Sequence, residues 1–123
     1  MKRLSQWIGS ATLALVIALG ASACAAPTET ISVSDTTVVI DVRTPEEFAA
    51  GHLDGAINID VQSPTFDSAA AELPTDGDYV VYCRTGARAA GAIDRLQDLG
   101  FTSLTNAGGL ETAADATELP ITK

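Results

Sequence analysis

Tyr79-Val80-Val81-Tyr82-Cys83-Arg84-Thr85-Gly86-Ala87-Arg88 is the stretch from which the rest of the chain can be read. An apolar run from Tyr79 to Tyr82 leads into Cys83 and a short loop with one glycine and two arginines. Beyond it Ala89, Ala92, Ile93, Leu96 and Leu99 recur at helical spacing. A buried strand, a tight loop and a helix in that order belong to a parallel α/β sheet, where chemistry gathers at the carboxyl ends of strands. Cys83 stands at such an end. Backbone N–H groups at a helix start favour an anion, and the guanidiniums of Arg84 and Arg88 add positive charge, so the loop favours thiolate over thiol. A structural cysteine more often has apolar surroundings without charged neighbours. This reading requires the sulfur at the mouth of the site. A buried side chain, or one turned from the mouth and inert towards iodoacetamide, counts against it.

Upstream, Thr37-Val38-Val39-Ile40-Asp41-Val42 is rich in β-branched residues and predicts a buried strand. Thr44-Pro45-Glu46-Glu47 then predicts a helix start, with Thr44 as cap, Pro45 in the first position and Glu47 completing a capping box. Phe48 gives that helix an apolar contact and Gly51 ends it. Ala56 to Ile59 reads as a second buried strand. Ser63-Pro64 predicts a helix running through Phe66 and Ala69 to Leu73, stopped by Pro74 and followed by a turn at Thr75 to Asp78. Downstream, Gly100 stops the long helix, Thr102 to Thr105 is a weaker strand, Asn106 to Gly109 is a turn, and Leu110 to Ala116 is a short last helix. The expected fold is α/β, a central parallel sheet flanked by helices on both faces.

Two motifs carry a family resemblance. Val39-Ile40-Asp41-Val42-Arg43-Thr44-Pro45-Glu46-Glu47-Phe48 followed by Gly51-His52-Leu53-Asp54-Gly55-Ala56-Ile57-Asn58-Ile59 resembles the N-terminal signature of rhodanese-homology domains. Val80 to Ala89 resembles the active-site loop of that family, and Asn106-Ala107-Gly108-Gly109-Leu110 its late glycine turn. The resemblance implies a rhodanese-like three-layer domain and sulfurtransferase chemistry at Cys83. The thiolate attacks a sulfane sulfur donor such as thiosulfate, becomes a persulfide, and passes the outer sulfur to cyanide or a thiol. Loop amides of Arg84, Thr85, Gly86, Ala87 and Arg88 cradle the persulfide, and the two arginines attract the anionic donor. Two departures stand out. Glu111-Thr112-Ala113-Ala114 occupies the place where many relatives carry a tryptophan, so looser C-terminal packing is expected. The segment from Ile31 to Thr37 leaves little room for a first helix.

Other chemistries fit less well. Cysteine-dependent phosphatases use Cys-x5-Arg, whereas Cys83 and Arg88 bracket four residues and position 89 is alanine. That disfavours phosphatase and arsenate reductase activity. A sulfur-relay or binding module with negligible turnover remains open, as does a mixed disulfide with a partner thiol. Asp41 and Arg43 lie just after the first strand. Arg43 either shapes the mouth of the site or pairs locally with Glu46 or Glu47; the local ion pair is the preferred reading. His52 orders a turn rather than acting as a base, since a thiolate with a lowered pKa needs none. One histidine and one available cysteine cannot supply the usual four zinc ligands, and no nucleotide-type glycine motif occurs, so neither metal nor cofactor is expected.

The 123 residues carry a net charge of −9. Met1-Lys2-Arg3, the apolar stretch Ile8 to Leu19 and Ala21-Ser22-Ala23-Cys24 read as an export signal, residues 1–23, whose apolar core is short for a membrane span of about 20 residues. The sequence before Cys24 resembles a bacterial lipobox, with Ala21 where an aliphatic residue is usual. Lipidation at Cys24 is therefore the expected anchor, with ordinary cleavage after Ala23 as the alternative. Residues 24–30 form a small, polar tether and 31–123 the folded domain. Removing residues 1–23 takes away two of seven basic residues and no acidic ones, which leaves −11. That argues against nucleic acid and anionic lipid surfaces as partners. The expected partners are a small anionic sulfur donor and a thiol or cyanide acceptor, with a protein acceptor possible.

Overall fold

The computed structural model describes residues 29–123. The expected signal and the lipidation site at Cys24 lie outside the described residues, as does all of the tether except its last two positions. No helix among the described residues is long and apolar enough to cross a membrane.

Four strands form one parallel sheet in the order β3-β1-β4-β5, with β1 at Thr37–Asp41, β3 at Ile57–Asn58, β4 at Asp78–Cys83 and β5 at Ser103–Gly109. Side chains alternate across the central strand β4. Tyr79, Val81 and Cys83 face α2 (Phe66–Ala70) and α3 (Ala87–Asp98), in a core with Ile40, Val42, Phe66, Ala92 and Leu96. Val80 and Tyr82 face the other way, onto Leu53 and Ala113 of α4 (Leu110–Thr117). Helices thus cover both faces, and the expected α/β three-layer fold is the one observed. Cys83 ends the central strand pointing to the α3 side.

The capping box at Thr44 forms as expected. The Thr44 hydroxyl accepts the Glu47 N–H, and α1 (Pro45–Ala50) ends at Gly51. Several elements differ from expectation. The helix after Ser63 spans only Phe66–Ala70. Ser63 Oγ bonds within its own turn, to the Thr65 hydroxyl at 2.8 Å, and the Phe66 N–H reaches back to the Ser63 carbonyl. A turn therefore occupies 63–65 where a helix start was expected. The strand at Ile57–Asn58 is an edge strand with Ile57 exposed, because only β1 pairs with it. By contrast β5 runs on through Asn106–Gly109, the presumed turn, pairing Cys83 with Gly109 past an irregularity at Val81/Cys83. His52–Leu53 (β2) and Ile121–Thr122 (β6) form a small antiparallel pair that escapes prediction, since two residues carry no readable period. The C-terminal helix is well seated: Ala113 and Ala116 are buried, small enough for close approach to the sheet.

Candidate active site

The loop from Arg84 to Arg88 bends around the sulfur because Gly86 adopts φ 98°, a left-handed conformation open to glycine at little cost. No side-chain oxygen caps α3. The acceptor at that helix start is Cys83 itself: the Gly86 N–H donates to Sγ at 2.8 Å. Burial pushes the Cys83 thiol up, and the amides of Ala89, Thr85, Gly86 and Arg88 outweigh it, so the thiol is held below its ordinary value.

Two expectations about this loop need correction. Cys83 is fully buried, with 0% of its surface exposed, not presented at the mouth. The physical reason is the cradle: the same amides that favour the thiolate close over it, and the side chain shares a core with Ala89 and Val81. The guanidiniums are also not the main source of the shift: the Arg88 charge does interact with Cys83, but the amides are the larger cause. Arg88 donates two hydrogen bonds to Glu47, Nη1 to Oε1 at 2.7 Å and Nη2 to Oε2 at 3.0 Å, so its charge is matched by a carboxylate. Arg84 is exposed and makes no ion pair among the described residues.

Glu47 thereby does two jobs, capping α1 and holding the far end of the loop. The Arg88 guanidinium, followed by the Thr44 amide and hydroxyl, outweighs burial and holds its carboxyl at about 2. The sequence announced only the cap. On the opposite side Asn106 clasps the loop. Its Nδ2 donates to the Gly86 carbonyl at 3.2 Å, and its Oδ1 accepts the Gly108 N–H at 2.9 Å. Gly109 lies so close that an added Cβ would overlap the Arg84 carbonyl oxygen. Neither Asn106 nor Gly109 carried a signal for this role beyond its place in the glycine turn.

Arg43 does not pair with Glu46 or Glu47 as preferred from sequence. Its Nε and Nη2 grip the Asp41 carboxylate, Nη2 at 2.7 Å from Oδ2, and Nη2 also reaches the Gly51 carbonyl at 2.6 Å. Both side chains are buried, so the nearer carboxylate offers a pairing that desolvation makes obligatory. Behind this pair the Tyr82 hydroxyl accepts the Leu53 N–H at 3.0 Å, and its proton is held more tightly than usual by burial. His52 orders its turn as expected: Nδ1 donates to the Phe48 carbonyl at 2.8 Å, and the ring stacks on Phe48 at 3.7 Å. A cavity of about 550 Å³ opens beside the loop, lined by Arg43, Glu47, Arg84, Gly109, Glu111 and Thr112 among others.

The geometry is matched by similarity to known proteins. The family model described as Rhodanese-like domain matches residues 27–114. This chain belongs to the rhodanese-like family. It is 40% identical over 76 residues to thiosulfate sulfurtransferase PspE of Escherichia coli K12, covering 61% of this chain and 72% of that one. It is 33% identical over 72 residues to a sulfurtransferase of Allochromatium vinosum, covering 58% of this chain and 65% of the relative. Among solved structures, a rhodanese with anions from E. coli superposes with a TM-score of 0.60 at 34% identity, covering 71% of this chain and 98% of that one. Membership of the rhodanese-like family and the sulfurtransferase relatives support sulfur transfer as the general class of activity.

Proposed function

We propose that the chain is a rhodanese-type sulfurtransferase that carries sulfane sulfur on Cys83. The observation that carries this reading is the sulfur seated under the amides of Thr85, Gly86, Arg88 and Ala89 at the start of α3, where negative charge is favoured. In the first half-reaction the Cys83 thiolate attacks the outer sulfur of thiosulfate. A new S–S bond forms at Cys83, the S–S bond of the donor breaks, and sulfite leaves with the electron pair. In the second, an acceptor thiolate or cyanide attacks the outer sulfur, and Cys83 departs as thiolate. No net oxidant or reductant is needed. The similarity to PspE supports thiosulfate as donor. Arg84, exposed at the rim, receives the anion, while Arg88 and its partner Glu47 keep the loop in shape. Asp41 and Arg43 stiffen the neighbouring strand end.

The complete burial of Cys83 favours a second reading, a persulfide relay served by a partner protein, with slow turnover on free thiosulfate. Intact-mass analysis after exposure to thiosulfate tests both. A gain of one sulfur, lost on addition of cyanide and absent in Cys83→Ser, is expected of the enzyme. A gain that only a protein acceptor can discharge marks the relay. No gain at all overturns both. The N-terminal sequence supports export with a lipid on Cys24, and the same spectrum, taken on membrane-derived protein, reports the lipid.

A further inference from the structure

Asn106 is exposed on the edge strand β5, yet both ends of its side chain are engaged. Nδ2 donates to the Gly86 carbonyl at 3.2 Å, and Oδ1 accepts the Gly108 N–H at 2.9 Å. The second bond belongs to an irregularity of the sheet. Val81 pairs with Asn106 and Cys83 with Gly109, so β5 spends one residue more than β4 between the two pairs. A bulge of this kind re-aims a side chain. Here it brings Asn106 onto the loop, where Gly108 packs so closely that a Cβ on Gly86 would stand 3.2 Å from the Gly108 Cα.

Gly86 joins two peptide groups with different tasks. Its N–H donates to Cys83 Sγ at 2.8 Å, and its carbonyl accepts the Ala90 N–H at 3.0 Å as well as Asn106. At φ 98° a glycine is free to leave its conformation, because no Cβ confines it. A second partner on the carbonyl restrains that freedom and keeps the N–H on the sulfur. The geometry points to Asn106 as a positioning residue for sulfur transfer: through the Gly86 backbone it holds the loop amides on Cys83. The assignment rests on the persulfide reading above and adds a residue to that site. Its effect is separable from that of the charges around Cys83. These are Arg88, matched by Glu47 and also acted on by Asp60, the adjoining Arg84, and the Asp41–Arg43 pair at the neighbouring strand end. An Asn106 substitution leaves them all in place. The purely structural alternative is that Asn106 only shapes the bulge.

Two variants separate the clasp from the bulge. Asn106→Ser keeps an oxygen for the Gly108 N–H but is too short to reach the Gly86 carbonyl, whereas Asn106→Ala loses both bonds. Alkylation of Cys83 by iodoacetamide is followed across pH by mass, at a temperature below each protein's melting transition. Both variants should raise the inflection by about half a pH unit. Both should slow sulfur gain from thiosulfate about threefold below the inflection, with the rate recovering above it. A shift in Asn106→Ala alone overturns the assignment, since the bulge then accounts for it. An unmoved inflection in both variants overturns it too. Failure of wild type to gain sulfur overturns the persulfide reading and with it any role of Asn106 in transfer, while the alkylation profile, which needs no donor, still decides the clasp.

Discussion

Arg88 and Glu47 hold each other in a two-pronged ion pair that ties the end of the loop around Cys83 to the first helix. The pair is about three-quarters shielded from solvent, so it falls between an exposed salt bridge and a buried one. Glu47→Gln should destabilise the protein by about 1–2 kcal/mol. The carboxyl is depressed to about 2, so its contribution is complete above the ordinary value of 4.5 and is lost as the pH falls through about 2. Urea denaturation of wild type and variant should show a gap that is constant at neutral pH and closes between those two values. A gap undiminished at pH 2 would disprove the linkage.

The Cys83 thiol is lowered by amides and hidden by the same amides. Its alkylation by iodoacetamide should therefore inflect at lower pH than that of a free cysteine, while a bulky maleimide should react at least tenfold more slowly than with the unfolded chain. Arg88→Ala should raise the inflection only modestly, since the guanidinium charge is lost but the backbone N–H of residue 88 survives the substitution. Stopped assays across pH, read by mass, check all three outcomes.

Gly109 and Gly91 make a matched pair of alanine substitutions with opposite outcomes. A Cβ at Gly109 overlaps the Arg84 carbonyl, whereas Gly91, inside α3, has nothing within 4 Å. Gly109→Ala should displace the loop, cost about 1–3 kcal/mol and lower sulfur transfer at least tenfold. Gly91→Ala should raise stability by about 0.5–1 kcal/mol and leave transfer alone. Thermal melts and a thiosulfate–cyanide assay on both variants give the comparison.

Asp41 is fully buried beneath the Arg43 guanidinium. Asp41→Asn leaves that cation without its carboxylate and should cost about 3–5 kcal/mol, the penalty of an unmatched buried charge. A cost under 1 kcal/mol in chemical denaturation would mean that the Gly51 carbonyl alone suffices.

The β1, β4 and α3 segments, the capping box at Thr44 and the loop at Cys83 were all legible in the sequence. Each depends on neighbours within a few positions: a run of β-branched residues, a 3.6-residue period, a hydroxyl three residues from its amide. The helix after Ser63 was misjudged because a turn competed for the same cap, and β5 was cut short because a glycine pair looks like a turn until a neighbouring strand pairs with it.

What the sequence determined alone is the parallel α/β order and a sulfur placed where a strand hands over to a helix, since these follow from local hydrogen bonding and periodicity. Tertiary structure decided the charges. Glu47 lies 41 residues from Arg88, and no local pattern says which acid each arginine will find. That choice belongs to the packing of α1 and α3 around the sheet, because a half-buried ion takes the partner that the fold brings within reach. The same packing closed the cradle over Cys83, a burial invisible in a stretch flanked by two arginines.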